Sequence, residues 1–80
     1  MAVTVLIVDD EESIRTSLGG VLMDEGFSIL KAEDGVRALQ LLKQEVPEVV
    51  LLDIWMPGID GIETLKRIKA RYPEVQVVMI

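Results

Sequence analysis

Short unbroken apolar runs alternate along this chain with stretches in which apolar residues recur at helical spacing. Residues 3–8 are mostly β-branched and apolar, and they stop at an acidic cluster, Asp9-Asp10-Glu11-Glu12. Continuous apolarity of this kind predicts a strand covered on both faces. Ile14, Leu18, Val21 and Leu22 follow at i, i+4, i+7 and i+8, the spacing of one helical face. The acidic residues ahead of them suit a helix N-terminus, and Gly26 suits its stop. Gly19-Gly20 inside this helix has no local reason and costs about 1 kcal/mol per glycine relative to Ala. Residues 27–32 include Ser28 and Lys31 and read as an edge strand. Asp34-Gly35 is a turn or cap signal. Ala38, Leu39, Leu42 and Val46 form the next helical stripe, which Pro47 ends. Residues 49–52 are a second fully apolar strand that runs straight into Asp53. A loop with a Pro57-Gly58 turn leads to Asp60, which can cap a third helix. That helix carries Ile62, Leu65, Ile68 and Tyr72 on one side, and Pro73 breaks it before a fourth strand at residues 75–80.

The order β-α-β-α-β-α-β with short connections predicts an α/β fold, a parallel sheet with helices on both faces. The two fully apolar strands should be central and adjacent, with the polar second strand at the edge beside the first. That gives the spatial order 2-1-3-4. Right-handed crossovers then put the first helix on one face and the other two on the opposite face. The chain reverses direction between strands 1 and 3, and open α/β sheets bind ligands at the carboxyl ends of the strands there. Asp9, Asp10 and Asp53 stand at those ends.

Composition narrows the chemistry. Eighty residues allow a single domain, and 50% apolar content excludes a disordered acidic tail. A net charge of -6 with no basic cluster argues against nucleic-acid binding by this segment. The absence of Cys removes disulfides and thiolate metal sites, and the absence of His removes the commonest general base. Any bound metal is then expected to be a hard, oxygen-preferring cation. No apolar run approaches the ~20 residues of a membrane span, and the N-terminus lacks signal-peptide features, so a cytoplasmic location is expected. The chain closes inside an apolar run, so a truncated fragment is expected.

Three carboxylates brought together repel one another and attract a cation. Mg²⁺ takes oxygen ligands and keeps several waters plus a phosphate oxygen. A carboxylate can also attack phosphorus. Asp53, ending a central strand before a loop, is the better nucleophile; Asp9 and Asp10 are the better metal ligands, one of them through water. Against this stands a plainer reading in which Asp9 to Glu12 are ordinary helix caps, as Asp34 and Asp60 are expected to be. Trp55 is expected to be partly buried packing rather than a partner anchor, and Met56 an apolar contact. Lys66, Arg67, Lys69 and Arg71 suit the end of the third helix dipole.

Leu6-Ile7-Val8-Asp9-Asp10-Glu11, followed by Asp53-Ile54-Trp55-Met56-Pro57-Gly58-Ile59-Asp60-Gly61 with Asp34-Gly35 between, resembles the receiver domain of two-component response regulators. The wording around Trp55 is most similar to regulators of the nitrogen-regulation type (NtrX/NtrC-like), which carry an ATPase and a DNA-binding domain after the receiver. The resemblance implies a three-layer flavodoxin-like (CheY-like) fold with sheet order 2-1-3-4. It implies phosphoryl transfer from a sensor histidine kinase onto Asp53, with Mg²⁺ held by Asp10, Asp53 and the backbone carbonyl of Trp55, and Asp9 helping through water. The module would be a phosphoacceptor rather than a turnover enzyme.

Relative to the family pattern, residues 1–80 stop at strand 4 and make a single partial receiver domain. The fifth strand with its Lys, the switch Ser or Thr, and the last two helices are missing. The fragment is therefore expected to signal poorly. One apolar sheet face and the edge of strand 4 are left open, so it is expected to self-associate as a homodimer or higher oligomer. Any DNA contact would come only through an output domain. Two other readings stand beside this one. One is a receiver-shaped interaction module that is never phosphorylated. The other is an aspartyl-phosphate-type phosphatase, disfavoured because such enzymes place a second Asp where Trp55 stands.

Overall fold

A computed structural model describes residues 2–80. The apolar runs become four strands: β1 (Thr4–Val8), β2 (Ser28–Ala32), β3 (Val49–Leu52) and β4 (Gln76–Met79). Between them lie α1 (Glu12–Asp24), α2 (Gly35–Gln44) and α3 (Gly61–Arg71). All strand pairs are parallel and their order is β2-β1-β3-β4, the order expected from strand apolarity. This is an open, parallel α/β sheet of the flavodoxin-like kind.

Register sorts the side chains into two faces. Leu6, Val8, Val50 and Leu52 share one face and are buried in a cluster with Ala32, Ala38 and Leu42 of the α2 side and Ile68 of α3. Val5 and Ile7 point to the other face and are buried under α1. α1 crosses close to β2, because a methyl group at Gly19 would lie 3.0 Å from Lys31 Cε and 3.6 Å from Ile29 Cγ2. That contact supplies the reason for Gly19 that local sequence lacks, whereas a methyl at Gly20 would meet nothing within 4 Å.

Helix ends follow their expected chemistry in most places. Gly26, at φ 94°, closes α1: its amide donates to the Met23 carbonyl and that of Phe27 to the Leu22 carbonyl. Asp34 caps α2 through the Arg37 amide (2.8 Å), and Asp60 caps α3 through the Glu63 amide (2.9 Å). Lys69 Nζ donates to the Pro73 and Val75 carbonyls just past α3.

Each helix departs in part from its expected face. In α1 the inward residues are Leu18, Gly19 and Leu22, while Ile14 and Val21 are exposed. The buried seam of α1 thus runs through Gly19, which faces the Ile29 and Lys31 side chains of β2. In α3, Thr64 and Ile68 are buried and Ile62 is exposed, because Gly61 and Thr64 seat against α2 and the preceding loop. Val46 lies beyond the end of α2 and is exposed. Pro47 is buried, three residues past the last helical residue rather than at the helix boundary.

Candidate functional site

Backbone pairing continues one residue past the strands and brings the acidic residues side by side. The Asp9 amide donates to the Ala32 carbonyl (3.1 Å) and the Asp53 amide to the Val8 carbonyl (3.0 Å). With Val8 opposite Leu52 in the register, Asp9 and Asp53 leave adjacent strands at the same level. Asp10 follows in the turn into α1. One carboxylate oxygen from each of Asp9, Asp10 and Asp53 lies within 4.8 Å of the others. Asp9 is buried, Asp53 half-buried and Asp10 exposed, so the cluster opens outward through Asp10.

The cap reading of the acidic run holds only in part. Glu11 occupies the N-cap of α1 but makes no side-chain cap bond. Instead Asp9 Oδ1 accepts from the Glu11 amide at 2.9 Å, a local turn that holds the Asp9 carboxyl near the site. Arg15, a residue that sequence spacing does not single out, reaches back from α1 to donate to the Asp9 backbone carbonyl at 2.6 Å. Its guanidinium thus fixes the β1–α1 turn without pairing with the carboxylates. Among the described residues the ion pair within 4 Å is Glu63–Arg67 on the surface of α3, so no such pair neutralises the three aspartates.

The β3–α3 loop carries the rest of the expected site. The Trp55 amide donates to Asp53 Oδ1 at 3.2 Å, which turns the chain sharply after the strand. Met56 is buried in the core cluster and pins the loop, as expected of an apolar contact. Trp55 is 83% exposed, which corrects the expectation of packing: Met56 takes the inward position and leaves the indole in solvent. At the tip Gly58 has φ 76°, a left-handed conformation that a Cβ would strain. The loop closes where the Gly61 amide donates to the Ile54 carbonyl at 3.0 Å.

An open cavity of about 450 Å³ lies elsewhere, lined by Val46, Pro47, Glu48, Glu74, Val75 and Gln76 at the amino ends of β3 and β4. It is at the opposite end of the strands from the aspartates, and its charged lining residues are Glu48 and Glu74. Chemical potential is concentrated at the carboxyl ends. There, three converging carboxylates beside an exposed loop can hold a divalent cation and offer an oxygen nucleophile.

Fold and site together define a signalling receiver. The chain belongs to the response regulator receiver domain family, which it matches over residues 5–80. It is 46% identical over 82 aligned residues to the nitrogen assimilation regulatory protein NtrX of Azorhizobium caulinodans, covering 100% of this chain and 18% of that protein. The crystal structure of the receiver domain of NtrX from Brucella abortus superposes with TM-score 0.90 at 43% identity, covering 94% of this chain and 64% of that one. The chemotaxis protein CheY4 of Vibrio cholerae superposes with TM-score 0.95 at 31% identity, covering 99% of this chain and 68% of that one. The chain spans 16–18% of the length of the NtrX-type relatives it matches. Receiver domains act in two-component systems, where they interact with histidine kinases. As a class they bind Mg²⁺ at an acidic pocket and are generally not catalytic enzymes. Among the described residues no helix is long and apolar enough to cross a membrane.

Proposed function

We propose that this chain is the phosphoacceptor part of a cytoplasmic response regulator and that Asp53 takes the phosphoryl group from a sensor histidine kinase. The observation that carries the reading is the convergence of Asp9, Asp10 and Asp53 with no ion-pair partner among the described residues. Asp53 Oδ1 accepts the Trp55 amide, which orients the carboxylate and leaves its second oxygen for attack on phosphorus. The new O–P bond forms as the P–N bond to the donor imidazole breaks. The bond pair stays on that nitrogen, which takes a proton.

The donor set fits Mg²⁺. Oxygens bound ~2.1 Å from one octahedral ion stand roughly 3–4.2 Å apart, and one oxygen from each of these carboxylates lies within 4.8 Å of the others. Asp10, Asp53 and the backbone carbonyl of Trp55 would hold the ion directly. Asp9, buried and already accepting the Glu11 amide, would act through water. The bound ion supplies charge stabilisation to the transferring phosphoryl group.

Residues 1–80 form a single partial receiver domain in this reading, in keeping with their covering 64% of the NtrX receiver domain. The regulator's output, including any DNA binding, belongs to other segments. The same chain self-associates, a reading supported by the exposed Val78 and Ile80 beside half-buried Leu51.

Incubation with a small acyl phosphate donor and Mg²⁺, followed by peptide mass spectrometry, tests the assignment. In a full-length regulator containing this chain the label is expected on Asp53 and is lost in Asp53→Asn. Residues 1–80 alone are expected to label weakly. Label on Asp60 in place of Asp53 overturns the assignment.

A further inference from the structure

Two glycines, Gly58 in the β3–α3 loop and Gly61 at the start of α3, are required for different reasons. Gly58 needs its positive φ, and a methyl there would meet nothing within 4 Å. Gly61 has no such backbone demand, and as the first residue of α3 it stands where Ala is the better helix former. Its demand is for space. A methyl at Gly61 would overlap the Asp53 carbonyl oxygen and lie 2.7 Å from Ile54 Cα and 3.0 Å from the Asp53 carbonyl carbon. All three are backbone atoms, which cannot swing aside as a side-chain tip can.

The helix that carries Gly61 cannot easily retreat. Ile68 is buried in the core, and Thr64 is buried with its hydroxyl donating to the Asp60 carbonyl at 2.8 Å. Behind Thr64 sits Gly35 of α2, where a methyl would overlap the Thr64 hydroxyl and lie 2.8 Å from Ile59 Cγ1. α3 is thus wedged between α2 and the neck of the loop. Bulk added at Gly61 must therefore move the Asp53–Ile54 peptide. That peptide joins Asp53 to Ile54, the residue that precedes Trp55.

We infer that Gly61 is a positioning residue for the divalent-cation site: its bare Cα lets the Asp53–Ile54 peptide sit where Asp53 and Trp55 can serve one Mg²⁺ together. This rests on the Mg²⁺ reading above. Mg²⁺ demands near-ideal octahedral geometry, whereas Ca²⁺ accepts longer and more irregular oxygen shells. Displacing the peptide therefore penalises Mg²⁺ more than Ca²⁺, which loss of folded protein alone does not do.

The test is titration of the chain with Mg²⁺ and with Ca²⁺, followed by calorimetry and by the fluorescence of Trp55, the one Trp of the sequence. Gly61→Ala is expected to lower Mg²⁺ affinity about tenfold, the low end of the effect of supporting groups on metal sites, and Ca²⁺ affinity less than about threefold. Gly58→Ala, strained at the tip but clear of the neck, is expected to leave the Mg²⁺/Ca²⁺ ratio unchanged. Gly61→Ala is also made in a Gly20→Ala background, which adds helix stability away from the site. Equal loss of both ions in step with folded fraction overturns the inference, as does failure to fold in that background, which would make Gly61 a requirement of the fold. Loss of Mg²⁺ binding in Asp53→Asn verifies the site itself. A parent chain without a Mg²⁺ response fails there, before the glycine variants are compared, and overturns both readings.

Discussion

At the scale of single residues, the site is made by charges that repel and by backbone groups that hold them in place. Asp9 has one oxygen on the Glu11 amide and its carbonyl on Arg15, so its position is set from two sides. Asp10 is exposed and Asp53 half-buried, and both lie where a cation can reach. Replacing Asp10 or Asp53 by Asn is expected to weaken Mg²⁺ binding at least tenfold, while Glu12→Gln, on the first turn of α1, changes it little. Calorimetric titration of the three variants checks this, and equal affinities in all three would remove the site. The aspartates could be read from sequence because strand ends and carboxylates are local features. Arg15 could not, since its target is a backbone carbonyl brought near only by the turn. The exposure of Trp55 was also hidden, because Trp55 and its neighbour Met56 are both large and apolar, and loop geometry decides which turns inward.

At the scale of elements, caps and glycines separate residues that matter from residues that only look suitable. Asp60 accepts the Glu63 amide, whereas Glu11 holds the N-cap of α1 without a side-chain bond. Asp60→Ala is therefore expected to cost about 1 kcal/mol of stability and Glu11→Ala only a few tenths. Urea denaturation of the two variants reads the difference. Gly20 is an exposed residue inside α1 with open space where a Cβ would go, so Gly20→Ala is expected to stabilise the chain by about 0.5–1 kcal/mol. Gly19→Ala gains less, because its methyl would press on Lys31 Cε at 3.0 Å and that side chain must shift. A larger gain at Gly19 than at Gly20 would show that α1 does not sit close to β2.

At the scale of the whole molecule, the layers are unequal. α2 and α3 cover the face that carries Leu6, Val8, Val50 and Leu52. On the other face α1 covers β1 and β2, and Val78 and Ile80 are each 48% exposed beside half-buried Val49 and Leu51. β4 also presents an unpaired edge among the described strands, a template for another chain. Each apolar side chain covered there is worth about 1.5–3 kcal/mol, which makes association of two such faces favourable. Sedimentation of residues 1–80 at increasing micromolar concentration is expected to show a dimer or larger species. The double substitution Val78→Lys with Ile80→Lys should shift it toward monomer. A folded monomer at high concentration with no exposed-patch dye binding would contradict the proposal.

The sequence by itself determined the kinds of element, the strand order and the meeting of three carboxylates. Each of these depends on a local period or on a rule of handedness. Unbroken apolar runs mark central strands, a polar run marks an edge, and right-handed crossovers leave one arrangement of helices. Tertiary structure alone decided how each helix is rotated about its axis. Ile14, Val21 and Ile62 have the right spacing and still face outward, while Gly19 faces the Ile29 and Lys31 side chains of β2 and Gly61 faces the Asp53–Ile54 backbone. A hydrophobic period specifies that a helix has an apolar side. Which line along that side is buried depends on the groups that stand opposite it, and these are set only once both elements are in place.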